Sequence, residues 1–229
     1  MNKIKWIIFA VVSVSAIAGL VVYSNNTTKN TDLFSGVDAY AVLPANDSNG
    51  NIADHLYNEN DSKIVLIEYG DYQCPACGTY NPTIEKIAED YKNKIKFVFR
   101  NYLLSYHANS KAAAATAESA GLQGKYWEMH KKLYSTQSDW ESLDSNARTS
   151  YFLSLATSLG LDTDKFSNDI ASSAVSDKIA YDVASAAKIR LTGTPSFYLN
   201  GKEIEYATWS DETKLRARID SVIAEADNN

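Results

Sequence analysis

The chain has 229 residues, of which 45% are hydrophobic and 22% charged. That size and apolar content exclude a disordered chain and leave room for one folded domain of moderate size. The formal net charge of −6 excludes nucleic acid as an expected partner, because a phosphate backbone is met by a basic surface.

In chain order, Lys3 and Lys5 come first, and residues 6–23, Trp6 to Tyr23, then carry no charge. A run of this length is at the short end of what spans a bilayer. Lysines ahead of it place the remainder outside the cytoplasm by the positive-inside rule. The expectation is an N-terminal transmembrane signal-anchor over residues 1–24, a single pass in the cell membrane with the rest of the chain extracytoplasmic. The alternative is a secreted protein cleaved near Ala18, since Ala16-Ile17-Ala18 is a small-x-small site. The apolar continuation Gly19-Leu20-Val21-Val22-Tyr23 favours the anchor. Neither cysteine lies near this run to carry a lipid. Residues 25–62 are rich in Asn, Asp, Ser and Thr. They read as a polar tether with too little apolar surface to fold firmly, carrying at most a weak strand at Tyr40-Ala41-Val42-Leu43.

Lys63-Ile64-Val65-Leu66-Ile67-Glu68-Tyr69 is a short apolar run suited to a buried strand. The only two cysteines follow, three apart, as Cys74-Pro75-Ala76-Cys77, and Gly78 to Tyr91 has helical character. The pair therefore sits where a strand ends and a helix begins. Pro75 suits a first helical turn, where its missing N–H is not needed. A thiol there faces the positive end of the helix dipole, which favours thiolate. Positions i and i+3 lie on one helix face, within reach of a disulfide. Lys94 to Arg100 is a second strand, which completes a βαβ unit. A CxxC beside such a unit reads as a redox motif. As a structural staple the pair would close too small a loop to restrain the unfolded chain. Zinc would need more ligands, and His55, His107 and His130 show no paired spacing. No metal and no cofactor is expected.

Residues 105–190 show helical periodicity and no convincing strand, with Gly121 and Gly124 as interruptions. Ala112 to Ala115 with Ala117 and Ala120 are strong helix formers. Tyr126 to Tyr134, Arg148 to Leu159, Asp164 to Ser172 and Ser176 to Arg190 follow, with Gly160 as a C-cap. Tyr126, Trp127, Tyr134, Trp140 and Tyr151 are expected to pack these helices together. Ser196 to Leu199 and Lys202 to Ile204 flank Asn200-Gly201, a strong hairpin signal. A last helix runs from about Ser210 or Asp211 to Ala226.

Ile67-Glu68-Tyr69-Gly70-Asp71-Tyr72-Gln73-Cys74-Pro75-Ala76-Cys77 resembles the active-site segment of DsbA-like thiol:disulfide oxidoreductases of the thioredoxin superfamily, in their membrane-anchored or secreted form. Gly193-Thr194-Pro195-Ser196-Phe197 resembles that family's cis-proline loop. Glu68, six residues before Cys74, stands where the superfamily places a buried acid. Pro82, five after Cys77, stands where the active-site helix is commonly kinked. The similarity covers roughly residues 60 to 225. It implies a thioredoxin fold over residues 63–229 with a helical domain inserted at about 105–190, an α/β chain preceded by the anchor and tether.

The resemblance also implies roles. Cys74 is the nucleophile and Cys77 the buried resolving thiol. Thr194 and a cis Pro195 flank the sulfurs and bind an extended substrate strand. Glu68 moves a proton to or from Cys77, whereas strand alternation alone allows it to point to solvent. Where many relatives carry a polar or aromatic residue, this chain has Ala76, which leaves the Cys74 thiolate to the helix start and its backbone N–H groups. His107 is read as a capping or packing histidine. The implied activity is an enzyme that introduces disulfides into exported proteins, with exported protein or peptide thiols as substrates and a membrane redox partner to reset the pair. The alternatives are an exported reductase or isomerase, and a surface-anchored peptide-binding protein without turnover.

Overall fold

The computed structural model describes residues 38–228. The anchor expected over residues 1–24, and the part of the tether before residue 38, lie outside these. Among the described residues no helix is long and apolar enough to cross a membrane.

The sheet begins with β1 (Val65–Gly70), which leads into α1 (Pro75–Asp90) and β2 (Lys96–Asn101). Helices α2 (Ser110–Gly121), α3 (Tyr126–Ser135), α4 (Gln137–Trp140), α5 (Ser145–Ser158), α6 (Thr163–Ile170) and α7 (Ser173–Lys188) follow. The chain then returns through β3 (Ser196–Leu199), β4 (Lys202–Ile204), α8 (Tyr206–Trp209) and α9 (Glu212–Asp227). Sheet order is β2-β1-β3-β4, with β1 parallel to β2 and antiparallel to β3. The helices α2 to α7 are thus inserted between the two halves of a thioredoxin-like α/β sheet. Asn200 and Gly201 take φ of 47° and 77°, the left-handed pair that a tight hairpin requires. The Asn200 side chain accepts from Val65 N at 2.8 Å and so ties the turn to the start of β1.

Both faces of the sheet are covered. Leu66, Phe97, Phe197 and Leu199 pack with Ile84, Ile87 and Ala88 of α1 and with Leu215, Ile219 and Val222 of α9. Each such aliphatic or aromatic side chain stabilises by about 1.5–3 kcal/mol when fully buried. On the other face, Ile67, Tyr69, Val98 and Tyr198 meet Ala186 of α7. α1 runs through Pro82, whose missing N–H leaves the Gly78 carbonyl without its usual helical donor.

The segment expected as a tether differs from Asp38 onward. Residues 40–43 form no strand, yet Ala39, Leu43, Asn49, Ile52 and Asp54 are buried. Several of its polar residues bond one another or the domain. Asn46 caps a 3-10 turn at Asp47–Asn49 in a reciprocal capping box. Tyr57 N donates to Phe97 O at 3.0 Å on the β2 edge.

The strongest tie is a buried charge cluster. Arg100 of β2 meets Asp54 at 2.7 Å and donates to the carbonyls of Ala39 and Ala41 and to the Tyr69 hydroxyl. Lys178 of α7 pairs with Asp54 at 3.1 Å and with Asp182. Asp182 and Glu118 both accept from Asn101, and Glu118 pairs with His55 at 2.9 Å. Burial alone would raise the Asp54 carboxyl; the attraction of Lys178 and Arg100 more than offsets it and holds it below the usual range. Removing one member of a buried pair leaves the other charge unanswered, which costs about 3–5 kcal/mol. Asp54→Ala is therefore expected to lower the urea unfolding free energy by about that amount. A loss below about 1 kcal/mol, the range of an exposed pair, would show that the cluster does not hold the segment to the domain.

Candidate active site

The turn between β1 and α1 carries both cysteines. Cys74 is the N-cap residue of α1 and Pro75 its first residue. Pro75 and Ala76 are exposed, Cys74 is 6% exposed and Cys77 is fully buried. The two are free thiols. Thr194-Pro195 is a cis peptide bond, and it lies opposite: the Cys74 Sγ is 3.6 Å from Thr194 O. The structure thus brings Cys74, Cys77, Thr194 and Pro195 together, although 120 positions separate Cys74 from Thr194.

The Cys74 thiol is pulled down to about 5. The largest cause is the S–H of Cys77, which hydrogen-bonds the charged sulfur; burial opposes it, and the Thr194 hydroxyl and the N–H groups of Cys77 and Ala76 add to it. The expectation from Ala76, that helix start and backbone alone hold the thiolate, is therefore incomplete. Cys74 makes no conventional side-chain cap bond, and the Thr194 hydroxyl is buried with no hydrogen-bond partner. Both observations leave those donors for sulfur, a long and weak acceptor. Burial pushes the Cys77 thiol well up, and its bond to Cys74 and the Glu68 carboxyl push it further.

Glu68 is 2% exposed, on the α1 face of the sheet between Phe99 of β2 and Phe197 of β3. With no solvent face on this sheet, alternation could not turn it outward. Burial, then the charge of Cys74, pushes its carboxyl up to about 8, and its Oε2 has no hydrogen-bond partner.

Several residues around this turn were not legible in sequence. Asp71 is buried and accepts from Gln73 N at 2.8 Å, Leu104 N at 2.9 Å, His107 Nδ1 at 2.9 Å and the Ser110 hydroxyl. His107 lies in the loop before α2 and packs there against Asp71. Gln73 accepts from Asn109 N and donates to Glu141 O. Gln137 of α4 donates to both Tyr72 O at 2.7 Å and Cys74 O at 2.9 Å. It reaches them only because residue 78 is glycine: a Cβ there would lie 2.7 Å from Gln137 Oε1. Tyr72 donates to His130 Nδ1 at 2.9 Å, and His130 Nε2 lies 3.0 Å from Asn81 Oδ1. Burial pulls His130 down to about 3 and keeps it neutral. Of the expected aromatic packers, Tyr126, Tyr134 and Trp140 are buried, and Trp127 and Tyr151 pack beside them.

A thioredoxin family model matches residues 51–220. Among solved structures, the chain is similar to oxidised BdbD from Bacillus subtilis, with 22% identity, a TM-score of 0.65, and 82% of this chain and 100% of that one covered. It is similar to the thiol-disulfide exchange protein alpha-DsbA2 from Wolbachia pipientis, with 22% identity, a TM-score of 0.63, and 74% and 87% covered. It is also similar to a thioredoxin-like oxidoreductase from Silicibacter pomeroyi DSS-3, with 26% identity, a TM-score of 0.57, and 75% and 96% covered. A curated relative is Na(+)/H(+) antiporter NhaA 1 of Salinispora arenicola (strain CNS-205), 35% identical over 150 residues. The match takes in 65% of this chain and 22% of the antiporter, so this chain spans under a quarter of that relative's length. The family match runs over most of the chain. The chain belongs to the thioredoxin family, in the DsbA-like form of its fold.

Proposed function

We propose that this chain is an extracytoplasmic thiol:disulfide oxidoreductase that introduces disulfides into exported proteins. The observation that carries the reading is the difference between its two thiols. Cys74 sits at a helix start beside the Thr194-Pro195 loop with its sulfur held charged, and Cys77 lies buried, its thiol pushed up by burial and by the nearby Cys74 and Glu68. A stabilised thiolate favours the reduced pair, which makes the disulfide an oxidant.

The proposed reaction begins with the Cys74–Cys77 disulfide. A client thiolate attacks Cys74 Sγ, the bond between the two cysteines breaks, and the electron pair leaves on Cys77. Cys77 takes a proton from Glu68, a carboxyl that stays protonated near neutral pH. A second client thiolate then attacks the client sulfur of the mixed disulfide, and Cys74 leaves as thiolate. The client dithiol has become a disulfide and the enzyme pair is reduced. The backbone at Thr194 and Pro195 is the proposed docking edge for the client strand. A membrane redox partner would reoxidise the pair, and the run at residues 6–23 would hold the domain at the outer face of the membrane. Support for catalysis over peptide binding without turnover is the opposed environments of the two sulfurs, which binding alone does not need.

The purified chain, with its disulfide formed, is expected to oxidise a reduced, unfolded client stoichiometrically. Cys74→Ser abolishes this, and Cys77→Ser traps a client adduct on Cys74. An adduct mapping elsewhere would reverse the two roles. Against glutathione, the potential is expected to lie above the about −270 mV of thioredoxin and below the about −120 mV of DsbA. A potential at or below the thioredoxin value would make the chain a reductase.

The pH dependence has a definite sign. The folded Cys74 thiol is depressed from 9.0 to about 5. Its contribution to the reduced form is therefore full above pH 9 and lost as pH falls through 5, and the disulfide form has no such group. The stability of the reduced chain relative to the oxidised one is expected to fall steadily from pH 8 to pH 5 in urea titrations. Thiolate ultraviolet absorbance should titrate over the lower end of that window. A constant difference across it would sink the thiolate argument.

A further inference from the structure

Behind α1 a cavity of about 470 Å³ opens to the surface, lined in part by Gly78, Asn81 and Pro82 of α1 and by Tyr134 and Ser135 of α3. Gly78 directly follows Cys77, so the cavity wall includes the neighbour of the buried thiol. Tyr134 is 5% exposed, and its hydroxyl is buried with no hydrogen-bond partner. Glu68 Oε2 is the matching case, a buried acceptor with none. Phe99 lies beside both: it pairs with Glu68 across the strands and has its ring 6.2 Å from that of Tyr134. After burial, the charges of Cys77 and then Glu68 are the largest influences on the Tyr134 hydroxyl. Burying an unmatched hydroxyl or carboxyl oxygen is unfavourable unless a donor or a bound water answers it. A small polar site with two or more partners is where an internal water is held.

We propose that Tyr134 is a positioning residue for Glu68, its hydroxyl and Glu68 Oε2 holding between them one water, supplied from the cavity, that bridges to Cys77. This inference rests on the proposed exchange reaction. In that reaction Glu68 gives its proton to the departing Cys77 sulfur and is left as a carboxylate. The bridging water donates to the carboxylate while Tyr134 fixes the water, and solvent returns the proton through the same opening. The other groups facing Glu68 are Cys74 and Cys77 at the start of α1 and Tyr72 in the turn before it. Its strand neighbours Phe99 and Phe197 are apolar. Tyr72 is already committed to His130, which leaves Tyr134 as the unpaired hydroxyl of this group.

The test is Tyr134→Phe in the full chain, which removes only the hydroxyl. The Glu68 carboxyl is followed by carbon-13 NMR titration and assigned by its loss in Glu68→Gln. The expected result is a rise of about one pH unit in the Glu68 midpoint, the size of one lost hydrogen bond to a carboxylate. The pH limb for attack on the Cys74–Cys77 disulfide by a small dithiol should rise with it, and the Cys74 thiolate titration should stay in place. A packing role alone would lower the unfolding midpoint and move neither profile. An unchanged Glu68 midpoint in Tyr134→Phe overturns the proposal. Should that variant fail to fold, the unsubstituted chain carries the test: the Tyr134 ζ-carbon signal is expected to step at the Glu68 midpoint and to lose the step in Glu68→Gln, and a flat trace overturns the proposal. If the unsubstituted chain exchanges no disulfides, the functional reading falls, and the Glu68 titration still decides the role of Tyr134.

Discussion

Arg100 places a guanidinium inside the protein with its side chain fully buried, and much of the surrounding chain is arranged to answer that charge. Asp54 comes from the segment before the sheet, Tyr69 from the neighbouring strand, and the carbonyls of Ala39 and Ala41 from farther upstream. Lys178 shares Asp54 and brings α7 with it. A charge in a low-dielectric interior persists only when paired and hydrogen-bonded. One arginine on β2 thus dictates where three stretches distant in sequence must lie. The face of the sheet it occupies is the one opposite Glu68, so the two faces divide the work: one holds the architecture by charge, and the other carries the thiols.

The thiol side is governed by reach across the insertion. The four residues before the CxxC helix each touch the inserted helices or the loop leading to them. Asp71 binds the loop before α2, Tyr72 meets His130, Gln73 meets Asn109 and Glu141, and the Cys74 carbonyl receives Gln137. The insertion is therefore a clamp on the reactive turn as well as a wall beside it. Gly78 shows how close the fit is, because any side chain at that position would displace Gln137. Reactivity at Cys74 is a property of both parts of the fold together.

Features that depend on neighbours in sequence were legible: the strand before the CxxC, Pro75 at the helix start, the Asn200-Gly201 turn and the alanine-rich helix. The juxtaposition of Cys74 with Thr194 and Pro195 came only through resemblance, because no local pattern joins positions so far apart. Asp71, His130 and Gln137 gave no signal, since each acts through partners dozens of residues away: an Asp in a turn, or a His or Gln in a helical stretch, looks like a surface residue. The segment from Asp38 misled by composition. Its Asn and Asp residues read as solvated, whereas Asn46 and Asn49 cap one another and Asp54 answers Arg100 and Lys178. For Glu68, alternation was silent for a physical reason: a sheet covered on both faces offers no solvent side for the pattern to report.

The separation between Cys74 and Thr194 sets an order of events as the protein folds. β1, α1 and β2 are contiguous and can form from local contacts, but β3 can pair with β1 only after the inserted helices have been made and the chain has returned. Contacts of long sequence separation form late because closing their loops carries an entropic cost first. Until then Cys74 lacks the Thr194 hydroxyl and the cover of the returning strand, and its sulfur stands open on a partly built helix start. A newly made chain would pass through an interval in which Cys74 is an open, unshielded thiol, and its cover would arrive only with the residues from Thr194 onward.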